Sequence, residues 1–437
     1  MFQLNDILNQ SLQISDVTEL KVYQIGVGSF GKYGFEKLVE LHNESSPVKV
    51  KLKGVCDSDH EQLEKVKKFA EANEIKLETF SDTRKMYDSA EKETGQVMIY
   101  DAGSADDHAE HIYTSMQHGF FHLAEKPPSM SRGSHIREKE LAKRNQAMWK
   151  CDFIERENPV VKKTLELLEE GSIESIKIFR QSSVGIEKIL APVRRFGVKG
   201  GDILDKMVHE VYFLDFLEQA GNDIDLELEN AKANYFLPKS RESEKLMAID
   251  GNYTDSIKYK TATAQTEAAF EADGVNIELN SSWVGLSEKA MLEAQKIKKA
   301  VGHDVIDREY SEIDDKAYLN EECRFFVIRG EKKLVGDMLH KKLFDLETGE
   351  QIPLDYYIHD QLFRVIEKGV MKAAGKDVET ITDKETDIFM NAIFDIKEEI
   401  SDGDFLNERE KALKKVESMI VEDRKIIENK EAETLAG

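Results

Sequence analysis

Val22-Tyr23-Gln24-Ile25-Gly26-Val27-Gly28-Ser29-Phe30-Gly31 reads as a short apolar strand that breaks into a glycine turn and continues as a helix to about Leu41. Glycines spaced Gly-x-Gly-x-x-Gly between a strand and a helix predict a dinucleotide-binding turn. Gly26 permits the tight turn, Gly28 lets backbone N–H groups approach a pyrophosphate, and Gly31 lets the helix pack close to the strand. The start of that helix offers unpaired N–H groups and the positive end of a dipole, so an anion is favoured there. Gly26, Gly28, Ser29, Phe30 and Gly31 are the cofactor-binding residues expected from this stretch.

A polar loop, Asn43 to Pro47, leads to a second strand, Val48 to Cys56, with Asp57 at its tip, 26 residues beyond Gly31. A carboxylate there accepts hydrogen bonds from the adenosine ribose hydroxyls and repels a 2′-phosphate. Ser58, Asp59, His60 and Glu61 follow, with no Arg to hold such a phosphate. NAD is therefore expected over NADP. The other reading of Asp57 is a cap for the helix predicted over Asp59 to Asn73.

The chain has 437 residues, enough for two or three domains, and 40% of them are hydrophobic. A formal net charge of −24 argues against a nucleic-acid partner, because phosphate binding needs clustered Lys and Arg. Cys56, Cys151 and Cys323 form no CxxC or CxxH pair, which fits a reducing compartment and indicates neither a disulfide framework nor a cysteine zinc site. The first 20 residues show no secretory pattern, with Leu4, Ile7, Leu8 and Leu12 marking one helical face, and no segment reaches the ~20 apolar residues of a membrane span. A cytoplasmic protein is expected.

Short apolar strands alternate with helices from Lys21 to about Phe153, the rhythm of a doubly wound parallel sheet. The strands are predicted at Val22–Ile25, Val50–Cys56, Leu77–Phe80, Val97–Ala102, Phe121–Ala124 and Met148–Phe153. After Asn158-Pro159 the pattern changes to longer alternating runs, at Ile176–Ser183, Ala231–Leu237, Ala262–Ala272, Val275–Trp283, Arg324–Arg329 and Lys333–Gly336. These predict antiparallel strands with turns at Asp273-Gly274 and Arg329-Gly330. Helices over Ile203–Gln219 and Tyr357–Ala374 punctuate this half. The fold class expected is α/β plus α+β: an N-terminal Rossmann doubly wound parallel sheet, then a mostly antiparallel sheet domain flanked by helices. The boundaries predicted are a helical extension over 1–20, an NAD-binding domain over 21–155, a substrate and oligomerisation domain over 156–403, and a charged helix over 404–437. Leu413, Val416, Ile420 and Ile427 give that last helix a narrow apolar stripe, for packing on its own subunit or for a subunit contact.

Two further constellations carry chemistry. In Leu123-Ala-Glu125-Lys126-Pro127, a lysine follows the fifth strand, where doubly wound folds bind ligands, and its ammonium could hydrogen-bond a substrate oxygen. A plain surface lysine is the alternative. In Gly200-Gly-Asp-Ile-Leu-Asp205-Lys-Met-Val-His209, Asp205 and His209 stand four apart, on one helical face if the helix is continuous. A carboxylate orients an imidazole and strengthens it as a base near neutral pH, though such a spacing also occurs as an ordinary surface pair.

Together these residues resemble the Gfo/Idh/MocA oxidoreductases, the glucose–fructose oxidoreductase and inositol dehydrogenase group, over most of Lys21 to about Gly403. The segment Phe153-Ile-Glu-Arg-Glu-Asn-Pro159 resembles that family's bridge between domains. The resemblance implies hydride transfer between NAD(P) and a carbinol carbon of a sugar, polyol or related compound, in a homodimer or homotetramer. It makes Lys126 the substrate-binding lysine, Asp205 the helix aspartate and His209 the catalytic histidine. It places Gly103, Ser104, His108, Glu125 and Lys126 along the cofactor. Gly103-Ser104 stands where the family usually has Thr-Pro, so the cofactor wall differs, and Tyr212 stands where it often has Asp. Arg194 and Arg195 line the pocket and favour an anionic substrate, or lie on the surface. His108, His111, His118 and His122 show no four-ligand spacing, and no metal is expected. Two rivals share the fold: a non-catalytic NAD-binding regulator, and an enzyme that keeps NAD bound and uses transient oxidation to drive elimination.

Overall fold

The structure, a computed structural model, describes residues 18–28, 30–44, 47–145, 148–168, 171–182, 202–222, 224–235, 263–282, 288–313, 316–354, 360–378, 380 and 383–402. Ser29, Gly200, Gly201, Arg194, Arg195, Trp283, residues 1–17 of the helical extension predicted over 1–20 and the charged helix predicted over 404–437 lie outside the described residues; Glu19 and Leu20, predicted to end that extension, begin the first strand instead.

Six strands form a parallel sheet: β1 (Glu19–Ile25), β2 (Lys49–Cys56), β3 (Glu78–Phe80), β4 (Val97–Asp101), β5 (Phe121–Glu125) and β6 (Trp149–Asp152), in the order β3-β2-β1-β4-β5-β6. Helices α1 (Gly31–Asn43), α2 (His60–Ala72), α3 (Thr83–Ala90), α4 (His108–Gln117) and α5 (Arg132–Asn145) connect them. Every residue of β4 and β5 is buried, as expected of strands covered on both faces. The strand order reverses between β1 and β4, the position at whose carboxyl ends open α/β sheets bind ligands. The six predicted strands are all present, within a few residues of their expected ends.

A 3₁₀ turn (Ile154–Glu157) and α6 (Pro159–Leu168) follow. The helix predicted as one piece over 203–219 is interrupted. It comprises a single turn at Asp202–Asp205, a 3₁₀ stretch at Met207–Val211 and α7 (Tyr212–Gln219).

The second sheet has nine strands: β7 (Ile173–Ser182), β8 (Glu227–Tyr235), β9 (Thr263–Ala272), β10 (Val275–Ser282), β11 (Asp307–Ile313), β12 (Lys316–Gly330), β13 (Leu334–Asp337), β14 (Lys342–Asp345) and β15 (Gln351–Ile352). All neighbours are antiparallel except β7 and β10, which pair in parallel, so the sheet is mostly antiparallel as expected, although the runs that became β7 and β10 were read as antiparallel strands. The Asp273-Gly274 turn is a hairpin with both residues at positive φ, +50° and +81°. The turn expected at Arg329-Gly330 instead falls just beyond it. Gly330 ends β12 in a bulge against β7, where a Cβ would stand 2.1 Å from the Ser172 carbonyl oxygen. Helices α8 (Glu288–Val301), α9 (Gln361–Ala373) and α10 (Asp383–Asp402) complete the described elements.

The described residues divide into two compact units, one within Met1–Glu169, Val208–Gln219 and Leu354–Asn391, the other within Glu170–Met207, Ala220–Pro353 and Ala392–Gly437. The core of the first joins Val22, Val50, Leu52 and Met98 of the sheet to Phe35, Leu38 and Val39 of α1 and to Leu362, Ile366, Val370 and Ala373 of α9. Gly369 of α9 lies so near β5 that a Cβ would stand 2.7 Å from Leu123 Cδ2. In the second unit Phe179, Phe325 and Val327 of the sheet pack on Ala290, Ala294 and Ile297 of α8. Among the described residues no helix is long and apolar enough to cross a membrane.

Candidate active site

Each glycine of the turn meets a different constraint. Gly26 has φ +78°, and a Cβ there would stand 2.4 Å from the Ala102 carbonyl oxygen at the end of β4. At Gly31 a Cβ would stand 2.3 Å from the Gly26 carbonyl oxygen, so the start of α1 presses onto the turn. At Gly28 an added Cβ meets nothing within 4 Å. The middle glycine thus faces open space, as a turn built to admit a pyrophosphate requires. Buried Gln24 holds the loop by donating from Nε2 to the carbonyl oxygens of Gly26 (2.8 Å) and Gly31 (2.7 Å). Phe30 occupies the N-cap position of α1 and is 41% exposed.

Asp57 follows the last residue of β2, and its Oδ2 accepts from Val27 N at 2.7 Å while Oδ1 accepts from Asp59 N at 2.8 Å. The carboxylate is pinned beside the glycine turn by these two amides. The cap of α2 is a different residue, Asp59, which accepts from the amides of Glu61 and Gln62.

At the end of β4 the fully buried Asp101 holds the wall. Its Oδ1 accepts from Gly103 N at 3.0 Å, and its Oδ2 lies 2.8 Å from His111 Nδ1 and 3.6 Å from His122 Nε2. Burial opposes ionisation of Asp101, but His108, His111 and His122 around it hold its carboxyl well below the usual range. Burial also opposes charge on His111, yet the Asp101 bond raises it; His122, enclosed more completely, is lowered by burial. Three of the four histidines seen in the sequence therefore serve one carboxylate. The fourth, His118, lies in a cluster of near-parallel rings with Tyr87 and Phe120. Ser104 begins the turn into α4, its carbonyl accepting from Asp107 N at 2.9 Å.

Lys126 is the first residue past β5, half-buried at the sheet's carboxyl edge, and its bond to Pro127 is cis. Two buried groups brace it. His108 Nδ1 donates to the Pro127 carbonyl oxygen at 2.8 Å, and Tyr100 OH donates to Glu125 Oε1 at 2.7 Å. Glu125 and Asp152 are register partners across β5 and β6. Burial raises both carboxyls, Asp152 the more strongly because Glu125 lies beside it. Two enclosed carboxyl groups side by side disfavour ionising together. His108 and Glu125, expected along the cofactor, are thus enclosed beneath the loop that presents Lys126.

His209 lies in the 3₁₀ stretch, with Nδ1 2.9 Å from Oε2 of buried Glu155. The α-helical spacing that linked it to Asp205 in sequence does not carry over, because Lys206 is a turn residue and the backbone changes type there. Glu155 is a carboxylate partner that the sequence reading missed. Its only signal was its place in the bridge segment, three residues past β6. The pair is braced alongside. Arg156 Nε donates to Asp215 Oδ2 of α7 at 2.7 Å, its Nη2 donates to Asp215 Oδ1, and it reaches Glu385 Oε1 at 3.1 Å. Asp205 stands in the second unit, with Lys206 Nζ 4.0 Å from its Oδ2.

Residues 20–153 match the model of the Gfo/Idh/MocA oxidoreductase family, NAD-binding Rossmann fold. No curated protein matches the chain by sequence. Three solved structures share the fold. UDP-N-acetylglucosamine 3-dehydrogenase GnnA from Acidithiobacillus ferrooxidans is 14% identical over 87% of this chain and 97% of its own, with a TM-score of 0.59. KijD10, a 3-ketoreductase from Actinomadura kijaniata in complex with TDP-benzene and NADP, is 15% identical over 88% and 98%, at 0.56. GenD2 from gentamicin A biosynthesis, in complex with NAD, is 14% identical over 89% and 96%, at 0.59.

Proposed function

We propose that the protein, whose residues 20–153 match the NAD-binding Rossmann model of the Gfo/Idh/MocA oxidoreductase family, is an NAD-dependent dehydrogenase. Its substrate would be a secondary hydroxyl, or in reverse a ketone, of a sugar or polyol. The observation that carries this reading is the Glu155–His209 pair, an oriented base within the same unit as the glycine turn.

Gly26, Gly28, Ser29, Phe30, Gly31 and Asp57 would hold the dinucleotide, with Gly103 and Ser104 as its wall. When bound, the nicotinamide supplies the two-electron hydride chemistry. The protein's own part is proton transfer and positioning. His209 Nε2, opposite the nitrogen bonded to Glu155, takes the hydroxyl proton. Glu155 fixes the ring and stabilises its charge, the orienting role expected of Asp205. The Lys126 ammonium holds the substrate oxygen and offsets negative charge as the proton leaves. Asp57, with Asp59 two residues on and no Arg or Lys at 58–61, favours NAD. The structural relatives include a UDP-N-acetylglucosamine 3-dehydrogenase and a 3-ketoreductase, which supports a sugar substrate. A cytoplasmic homodimer or homotetramer is the setting this reading implies, consistent with three buried free thiols.

His209→Ala should abolish NADH formation across a polyol and nucleotide-sugar panel while the NAD affinity stays within about twofold, read by fluorescence titration. Unchanged turnover would falsify the assignment. Glu155→Gln should lower kcat/KM about 10- to 100-fold and move its acidic limb to lower pH, since removing the carboxylate charge disfavours the imidazolium. A loss without movement of the limb would reduce Glu155 to scaffolding.

A further inference from the structure

The second unit contains a cluster that the dehydrogenase reading does not use. Asp337 ends β13 and is fully buried, and His340 follows in the hairpin turn to β14. His303 comes from elsewhere, two residues past α8, where Gly302 at φ +67° ends the helix and turns the chain. His303 Nε2 and His340 Nδ1 both lie 2.8 Å from the same oxygen, Asp337 Oδ2. One donor atom from each of the three residues falls within 4.8 Å of the others.

Other contacts fix this convergence. Asp337 Oδ1 accepts from Leu339 N at 3.1 Å and His340 N at 2.9 Å, which leaves Oδ2 aimed at the two rings. The His303 ring stacks on Phe344 at 5.2 Å and stands nearly perpendicular to His340 at 5.3 Å. Side-chain exposures of 17% for His303 and 32% for His340 against 0% for Asp337 leave a path from solvent to a closed floor.

We propose that His303, Asp337 and His340 bind a divalent transition metal, with Zn²⁺ the ion best matched. Two imidazole nitrogens and one carboxylate oxygen form the borderline donor set that selects Zn²⁺ over Mg²⁺ or Ca²⁺, and the solvent side leaves a fourth position for water. Bond lengths of about 2.0–2.1 Å set neighbouring donors of a tetrahedral site roughly 3.3 Å apart, so 2.8 Å contacts need open by only about half an ångström. On binding, each ring nitrogen exchanges its N–H for a metal bond, and the imidazole proton moves to the opposite nitrogen. The ion joins the end of α8 to the β13–β14 hairpin, 34 residues apart in the chain. Its role is to hold the sheet and helix of this unit together, not to act in hydride transfer.

The test uses the untagged full-length protein, stripped with a chelator and titrated with Zn²⁺ against a chromophoric competitor, and with Co²⁺ for its visible ligand-field bands. One equivalent should bind, the Co²⁺ bands should be those of a low-coordinate nitrogen–oxygen site, and Zn²⁺ should raise the melting temperature. Asp337→Asn should bind at least 100-fold more weakly and lose the thermal shift. His340→Ala, in an exposed turn and sparing the Asp337–His303 contact, should bind at least tenfold more weakly. NAD affinity serves as the check on folding. Wild-type protein that binds no more Zn²⁺ or Co²⁺ than the two variants overturns the proposal, as does an equivalent that survives both substitutions.

Discussion

A methyl group added at Gly31 would stand 2.3 Å from a backbone carbonyl oxygen, while at Gly28 it would meet nothing within 4 Å. The two substitutions should therefore separate stability from function. Gly31→Ala forces backbone apart and should cost about 2 kcal/mol or more in denaturant unfolding. Gly28→Ala should leave stability within about 0.5 kcal/mol and still weaken NAD binding at least tenfold, because the methyl occupies space the pyrophosphate needs. Equal effects of the two on unfolding would remove this distinction. The glycines and Asp57 were legible in the sequence because their roles depend on backbone turns a few residues long. Glu155 was not. It lies 54 residues from His209, and nothing in one segment announces the ring in the other.

Among the helices, α5 carries a cost. Glu138 is nearly fully buried, both its oxygens lack hydrogen-bond partners, and the nearest cationic candidate, His135 Nδ1, is 3.9 Å away. Burial pushes the Glu138 carboxyl up to about 8. A folded value above the unfolded one means the native state binds the extra proton, so this group's contribution falls as pH rises from about 4.5 to about 8. Glu138→Gln should raise stability, read from the melting temperature, by up to about 4 kcal/mol at pH 8 and little at pH 4. Equal gains at both pH values would sink this account. Strands with continuous apolar runs, such as Val97–Asp101, were easy to foresee. Charged β11 and the short β14 and β15 were not foreseen, because such strands form by pairing with a sheet already in place. The parallel partnership of β7 and β10 was equally hidden, since alternation shows a strand's faces and not its neighbour's direction.

For the whole molecule, the first unit draws on three separated stretches of chain. Leu362, Ile366 and Val370 of α9 are each at least 90% buried against the Rossmann core. At about 1.5–3 kcal/mol for each large apolar side chain, their loss is comparable to the whole stability of a domain. A chain truncated after residue 353 should bind a hydrophobic dye and lose cooperative melting of the NAD-binding unit. A truncated chain melting at the full-length temperature would refute this. The formal charge of −24 adds a salt effect: melting temperature should rise with ionic strength as self-repulsion is screened.

The late position of α9 also bears on how the protein is made. On a ribosome, β6 emerges about 200 residues before α9 is complete. At 5–20 residues per second that interval is roughly ten to forty seconds. Throughout it, the part of the sheet's apolar face that α9 covers in the finished unit lacks that helix. The nascent chain is thus a long-lived client for any chaperone that waits at the tunnel exit, and a cofactor can stabilise the finished unit only after α9 has been synthesised.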